Sequence, residues 1–98
     1  MLKVENMISS RGNTVANQFI IYANDGKYFQ SYDSIIAFIP NGNYKPELIG
    51  DYRAKLDEKY WNYSTTTGKY RNLFLGEDRK ETEKQIKRGN YILTNLNA

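Results

Sequence analysis

The sequence contains no cysteine and no histidine. The first absence removes disulfide frameworks, thiolate zinc sites, iron–sulfur clusters and cysteine nucleophiles. The second removes the commonest general base and transition-metal ligand, and with it any Ser-His-Asp or Cys-His arrangement. Only two prolines and seven glycines punctuate the chain, so it is neither collagen-like nor a low-complexity linker. No apolar run approaches the length of about 18 residues that a membrane span needs. The N-terminus, MLKVENMISSRGN, lacks the apolar stretch of a signal peptide, so a cytoplasmic protein is expected. Carboxylate-only chemistry stays open in principle. The acids, however, are interleaved with Lys and Arg on polar stretches, which reads as solvated surface. Asp57 and Glu58 are neighbours on a strand, point to opposite faces and cannot share a metal. No catalytic residue, metal ligand or cofactor site is expected.

What the chain does contain is unusual. Nine tyrosines, one tryptophan and eleven asparagines sit among 98 residues. That length fits one domain, 1–98, with a modest core. Residues 1–50 are net neutral, so the whole excess of +3 lies in the C-terminal half. Such a balance permits contact with nucleic acid without requiring it.

Along the chain, residues 1–16 are polar and mixed, with SSRGN as a loop signal, and read as a loosely attached arm. Residues 17–23 (NQFIIYA) are aromatic and β-branched, hence a strand. Asp25-Gly26 follows at the expected centre of a two-residue hairpin loop. That register pairs Tyr22 with Phe29 and Phe19 with Tyr32, and returns through 27–32. Asp33-Ser34 breaks the chain before a short apolar strand, 35–39, which Pro40 and Gly42 end. Pro46 and Gly50 punctuate the next stretch. Alternation of Tyr52, Ala54 and Leu56 with charged residues predicts a half-exposed strand over 51–57. Ser64 to Thr67 offer N-caps, Tyr70, Leu73 and Phe74 recur at helical spacing, and Gly76 suits the residue after a helix. A helix over 65–75 follows. Asp78 with Glu81 resembles a capping box opening a second helix, 79–88, which Gly89 stops. That helix carries few apolar residues and is expected to bury little. Residues 91–96 form a strand or tail. The fold class is α+β: an antiparallel sheet of about four to five strands followed by two short C-terminal helices.

The densest constellation is YWNYSTTTGKYR, residues 60–71. Trp, Tyr and Arg supply rigid anchors and directional hydrogen bonds at interfaces. Trp61, Tyr63, Lys69, Tyr70 and Arg71 are therefore the candidate partner-binding residues. Lys69 and Arg71 flank the apolar stripe and are expected to reach solvent. The bland alternative is that Trp61 covers the sheet, Ser64 or Thr65 caps, and the cations are merely solvated. Thr67-Gly68-Lys69 is not a Walker phosphate loop, because the first glycine is missing and Tyr70 follows the lysine. Arg79, Lys80, Lys84, Lys87 and Arg88 make a candidate basic stripe on the second helix, where Glu83 and Lys87 are spaced to pair.

Three stretches, YFQSYDSIIAFI, YWNYSTTTGKYRNLFLGE and QIKRGNYILTNLN, together resemble a family of short proteins of phages and other mobile elements in gut and related bacteria. Its pattern is F-x-S-Y and I-A, then Y-W-[DN]-Y-S-x-T-T-x-K-Y-x-x-x-F-L, then I-x-x-G-x-Y and L-N. The match covers roughly residues 17–97 and leaves out the arm. The resemblance implies no catalytic activity. It implies action inside a bacterial host cell on host machinery, including anti-defence or anti-CRISPR roles. The expected function is that of a non-enzymatic protein docking on a host protein or nucleoprotein, as an inhibitor of a defence system such as a CRISPR nuclease. A small nucleic-acid-binding protein using the basic, aromatic C-terminal half is the alternative, and a carboxylate-dependent enzyme comes third.

Overall fold

The computed structural model describes residues 2–41 and 53–98. Six strands form one sheet in the order of the chain: β1 (Lys3–Ile8), β2 (Thr14–Tyr22), β3 (Gly26–Ser31), β4 (Ser34–Pro40), β5 (Ala54–Asp57) and β6 (Tyr91–Thr94). The first four pairings are antiparallel. The last, β5 with β6, is parallel, because helices α1 (Thr65–Leu75) and α2 (Arg79–Lys87) form the crossover between them. The α+β reading holds. The expected punctuation at Gly42, Pro46 and Gly50, and the first residues of the 51–57 strand, lie outside the described residues.

Residues 2–16 are not a loose arm. They supply β1 and the start of β2, joined by a loop in which Ser9 N donates to Asn13 O at 2.8 Å and Gly12 N to Ser9 O at 2.9 Å. The apolar signal was weak because β1 is an edge strand that buries Met7 alone. The β2–β3 hairpin also differs from the expected register. Ala23 and Gly26 close the turn, so the loop residues are Asn24 and Asp25. Tyr22 faces Lys27, Phe19 faces Gln30, and Ile20 faces Phe29. The slip is two residues in the pairing, so every side chain keeps its face. The next turn is Tyr32-Asp33, between the paired Ser31 and Ser34.

Two adjacent cross-strand rows define the sheet. Ile20, Phe29, Ala37, Leu56 and Leu93 are paired in one row, and most of it packs beneath the helices. Its neighbour, Val4, Ile21, Tyr28, Phe38, Lys55 and Ile92, alternates to the opposite face. The core gathers Met7, Phe29, Ile36, Ala37 and Leu56 from the sheet with Tyr70 and Phe74 from α1. The rings of Phe29 and Phe74 lie 5.8 Å apart.

Both helices begin and end for the anticipated reasons. Ser64 accepts from Thr67 N and Gly76, at φ 74°, closes α1. Asp78 accepts from Glu81 N at 2.9 Å, while the Glu81 carboxylate accepts from Gln85 instead of reaching back. The second helix buries little, as its composition suggested, and does so through Thr82 and Ile86. Thr82 is buried and its hydroxyl reaches Glu77 and the Asp78 carbonyl, and Ile86 packs on the core.

Gln18 on β2 is fully buried and, among the described residues, neither amide atom has a hydrogen-bond partner. An unsatisfied buried amide costs about 1–3 kcal/mol. Gln18→Met, of similar volume, is therefore expected to raise stability by about 1 kcal/mol in urea denaturation. An unchanged or lower midpoint would mean that a buried water serves the amide.

Candidate functional site

The segment 60–71 does not act as one exposed cluster. Ser64 sits at its centre as the N-cap of α1 and donates to Thr67 Oγ1 at 3.1 Å. That assignment leaves the Thr67 proton for Ser31 Oγ on β3, 2.9 Å away. The chain Ser64–Thr67–Ser31 pins the start of the helix to the sheet. Tyr70 is buried in the core, and Trp61 packs against the core while half-buried. Tyr63 is 68% exposed and stacks edge-on with Tyr60 at 5.4 Å. It lines a small cavity of about 270 Å³ with Ser31 and Thr67.

Arg71 is the main correction. It is only 1% exposed, not solvated. Its Nη1 donates to Trp61 O at 2.6 Å and to Asn62 Oδ1 at 3.3 Å, and its Nη2 donates to Asn72 Oδ1 at 3.0 Å. The guanidinium lies 5.3 Å from the centre of the Trp61 ring. Its Nε is buried without a partner among the described residues. Burial, and then the charge of Arg79, lower its pKa from the ordinary value, while Glu77 and Glu83 pull it back. All three acceptors are neutral, and among the described residues no carboxylate forms an ion pair with it. Leu73, expected on the apolar side, is instead exposed.

Arg71 forms part of a groove of about 710 Å³ beside α1. Ser64, Thr65, Gly68 and Lys69 contribute its helical wall, Ser10 comes from the β1–β2 loop, and Arg79 comes from the start of α2. Asn62, Asn72 and Leu73 complete it. Among the described residues that line it, three are cationic and none is acidic. Lys69 is exposed, with Nζ 5.4 Å from the Tyr70 ring centre. The groove thus unites Lys69 and Arg71 of the expected set and leaves out Trp61, Tyr63 and Tyr70. It adds Asn62 and Gly68 from the same segment, and Ser10 and Arg79, which local sequence could not connect.

The basic residues of α2 divide likewise. At 100° per residue, Lys80, Lys84, Lys87 and Arg88 share one exposed face, opposite Thr82 and Ile86. Arg79 stands apart beside the groove, with Nε 3.3 Å from Glu83. Among the described residues Glu83 therefore pairs backwards with Arg79 and not forwards with Lys87.

A second polar centre organises the far end of the sheet. Asp57, at the end of β5, is buried. Its Oδ2 accepts from the backbone N–H groups of Lys59 and Tyr60, and its Oδ1 from Leu96 N and Asn97 Nδ2. Burial alone would push its pKa up, but these hydrogen bonds outweigh it and hold the carboxyl below its ordinary value. Asn97 also exchanges two hydrogen bonds with the backbone of Ile35. The whole arrangement is a clasp on the C-terminal tail. Among the described residues no group of three or more acidic side chains could hold a metal ion, and no helix is long and apolar enough to cross a membrane.

No curated protein and no solved structure matches this chain. A family model does match, and it begins at residue 2, so it takes in β1 and, of the stretch that carried the resemblance, residues 17–90. With residues 2–90 matched, the chain belongs to the Family of unknown function (DUF8033).

Proposed function

We propose that the chain is a non-enzymatic binding protein whose α1–α2 face docks on a negatively charged surface of a host protein or nucleoprotein. The observation that carries this reading is the groove whose described lining residues include three cations and no acid. The exposed stripe Lys80, Lys84, Lys87 and Arg88 extends the positive charge along α2. Opposed potentials of this kind steer association and select partners. The narrower reading, inhibition of a defence system such as a CRISPR nuclease, is supported by the family resemblance and by no feature of the groove.

Lys69→Glu is the clean test, because Lys69 is exposed and makes no ion pair among the described residues. Stability should change by less than about 0.5 kcal/mol. Partner capture from host lysate should fall, with slower association. Capture equal to the parent's over a range of salt would sink the docking reading. The α2 stripe favours a second reading, direct binding of nucleic acid. Counterion release then makes affinity fall steeply with salt, and nuclease treatment of the lysate removes the captured material.

A further inference from the structure

We propose that the groove beside α1 is a seat for a phosphate group, carried by a nucleotide or by the backbone of a nucleic acid. This deepens the docking reading by naming the chemical group that the same groove receives.

The floor is the first reason. Among the described residues Arg71 is a buried guanidinium bonded only to neutral oxygens, with an Nε–H that has no acceptor. A buried charge is ordinarily paired, and here the counter-charge is missing from its immediate partners. Asn62 and Asn72 give their side-chain oxygens to this guanidinium. Each carboxamide thereby turns its NH2 group away from Arg71, and both residues line the groove. The NH2 group of either asparagine would serve an anion there as a neutral donor.

The helix is the second reason. The first turn of α1 has no acidic residue, so nothing on it offsets the positive end of the helix dipole. Ser64 and Thr65 bring that end to the groove. Gly68 then leaves depth over the floor. A Cβ there would lie 3.7 Å from Nη2 and 3.8 Å from Nη1 of Arg71, an ordinary contact. Alanine would fit and would favour the helix. The glycine instead costs helix stability and keeps the space open.

Charge and size indicate the chemistry. Lys69 and Arg79 join Arg71 around one space, with hydroxyl donors from Ser10 and Thr65. Several cations and scattered donors suit a tetrahedral, multiply charged oxyanion better than one planar carboxylate. A volume of about 710 Å³ exceeds what phosphate alone would fill. It lies within the usual range for small-molecule sites, roughly 300–1,000 Å³. Leu73, exposed on the same wall, offers an apolar surface to a sugar or base.

The test is NMR titration of the full chain at constant ionic strength with inorganic phosphate, adenosine monophosphate, a single-stranded oligonucleotide, acetate and an acidic peptide. Phosphate should give saturable shifts at the Thr65, Gly68 and Lys69 amides and at the Arg71 Nε–H. Tighter binding of the monophosphate than of phosphate assigns a nucleotide carrier. Binding of the oligonucleotide without the monophosphate assigns a nucleic-acid backbone. Gly68→Leu and Lys69→Glu should each weaken phosphate by about tenfold. If the leucine variant fails to fold, Gly68→Ala serves, with an unchanged or higher Tm and weaker binding.

Absence of saturation by phosphate overturns the inference. So do equal effects from acetate or the peptide, or shifts spread evenly over the lysines of α2. These failures differ from failure of docking. If Lys69→Glu loses its partner while phosphate leaves the spectrum unchanged, docking stands and the phosphate seat falls. If phosphate saturates the groove while the charge reversal leaves partner capture intact, the seat stands and docking falls.

Discussion

Gly26→Val is expected to destabilise the protein by about 3 kcal/mol or more, from the upper range for an overpacked core. A Cβ at this position would meet Ile39 O at 2.3 Å, Phe38 Cε1 at 2.7 Å and Pro40 Cα at 2.8 Å. Two of the three atoms belong to the β4 backbone, so no side-chain rotation relieves the clash. Strand β4 would have to move away from β3 at the Gly26–Pro40 pair. The end of β4 is also tied to the hairpin loop, because Asn41 donates to Asp25 O at 3.0 Å and to Asn24 O at 2.8 Å. For a domain of this size Tm should fall by at least about 12 °C. The φ of Gly26 is 158°, away from the left-handed turn region but in a backbone conformation that L side chains rarely adopt. Crowding and this conformation, not a left-handed turn, therefore demand glycine. Gly26→Asn discriminates between the two causes, since asparagine tolerates left-handed turns but carries a Cβ. Thermal melts should show asparagine nearly as harmful as valine. A well-tolerated asparagine would restore Asp25-Gly26 as the turn and contradict the pairing of Tyr22 with Lys27.

That residue also marks where local sequence ceased to be a guide. Asp-Gly is a strong hairpin signal, and it located the hairpin correctly. It misplaced the loop by one residue because the glycine serves the neighbouring strand. Helix ends were legible because their causes are local: Ser64, Gly76, Asp78 and Gly89 each act within one turn of the chain. Strand β1 was hidden for the opposite reason. An edge strand with one buried residue has no apolar period to read.

The site was less legible than the fold. A helical projection places Arg71 beside the buried stripe, but it cannot show that Trp61 and Asn62 fold back over that flank. Ser10 and Arg79 meet Lys69 only through tertiary packing. Several residues that carried the family resemblance prove to be architectural. Ser31, Ser64 and Thr67 form the hydroxyl chain, while Phe29, Ile36, Ala37, Tyr70 and Phe74 are core. Tyr91 donates a hydrogen bond to Glu77, tying β6 to the helix connection. The motif therefore describes how the chain folds more than what it binds.

Asp57 is where a residue read as solvated surface should have one of the largest effects on stability. Alternation along β5 assigned its charge to water, but the tail after β6 crosses over it. Asp57→Ala removes the acceptor for three backbone N–H groups and for the Asn97 amide. Water can reach the exposed Lys59 end, so the full penalty of four lost bonds will not appear. A loss of about 3 kcal/mol is expected, since hydrogen bonds to a charged group contribute roughly 1.5–3 kcal/mol each. Asp57→Asn is not a mild alternative. Its NH2 must occupy one oxygen position, so a donor would face donors from either Lys59 and Tyr60 or Leu96 and Asn97. The carboxylate also predicts a pH dependence. Its folded pKa is depressed, so its contribution is complete above the unfolded value of about 3.9 and is lost as pH falls through the lower folded value. Urea midpoints measured from neutral pH down to pH ~2 should show the parent losing stability below about pH 4. Asp57→Ala should start lower at neutral pH and lose less over the acid range, so that the two curves converge. Parallel curves would mean that other carboxylates govern the acid limb and that Asp57 is not the clasp on the tail.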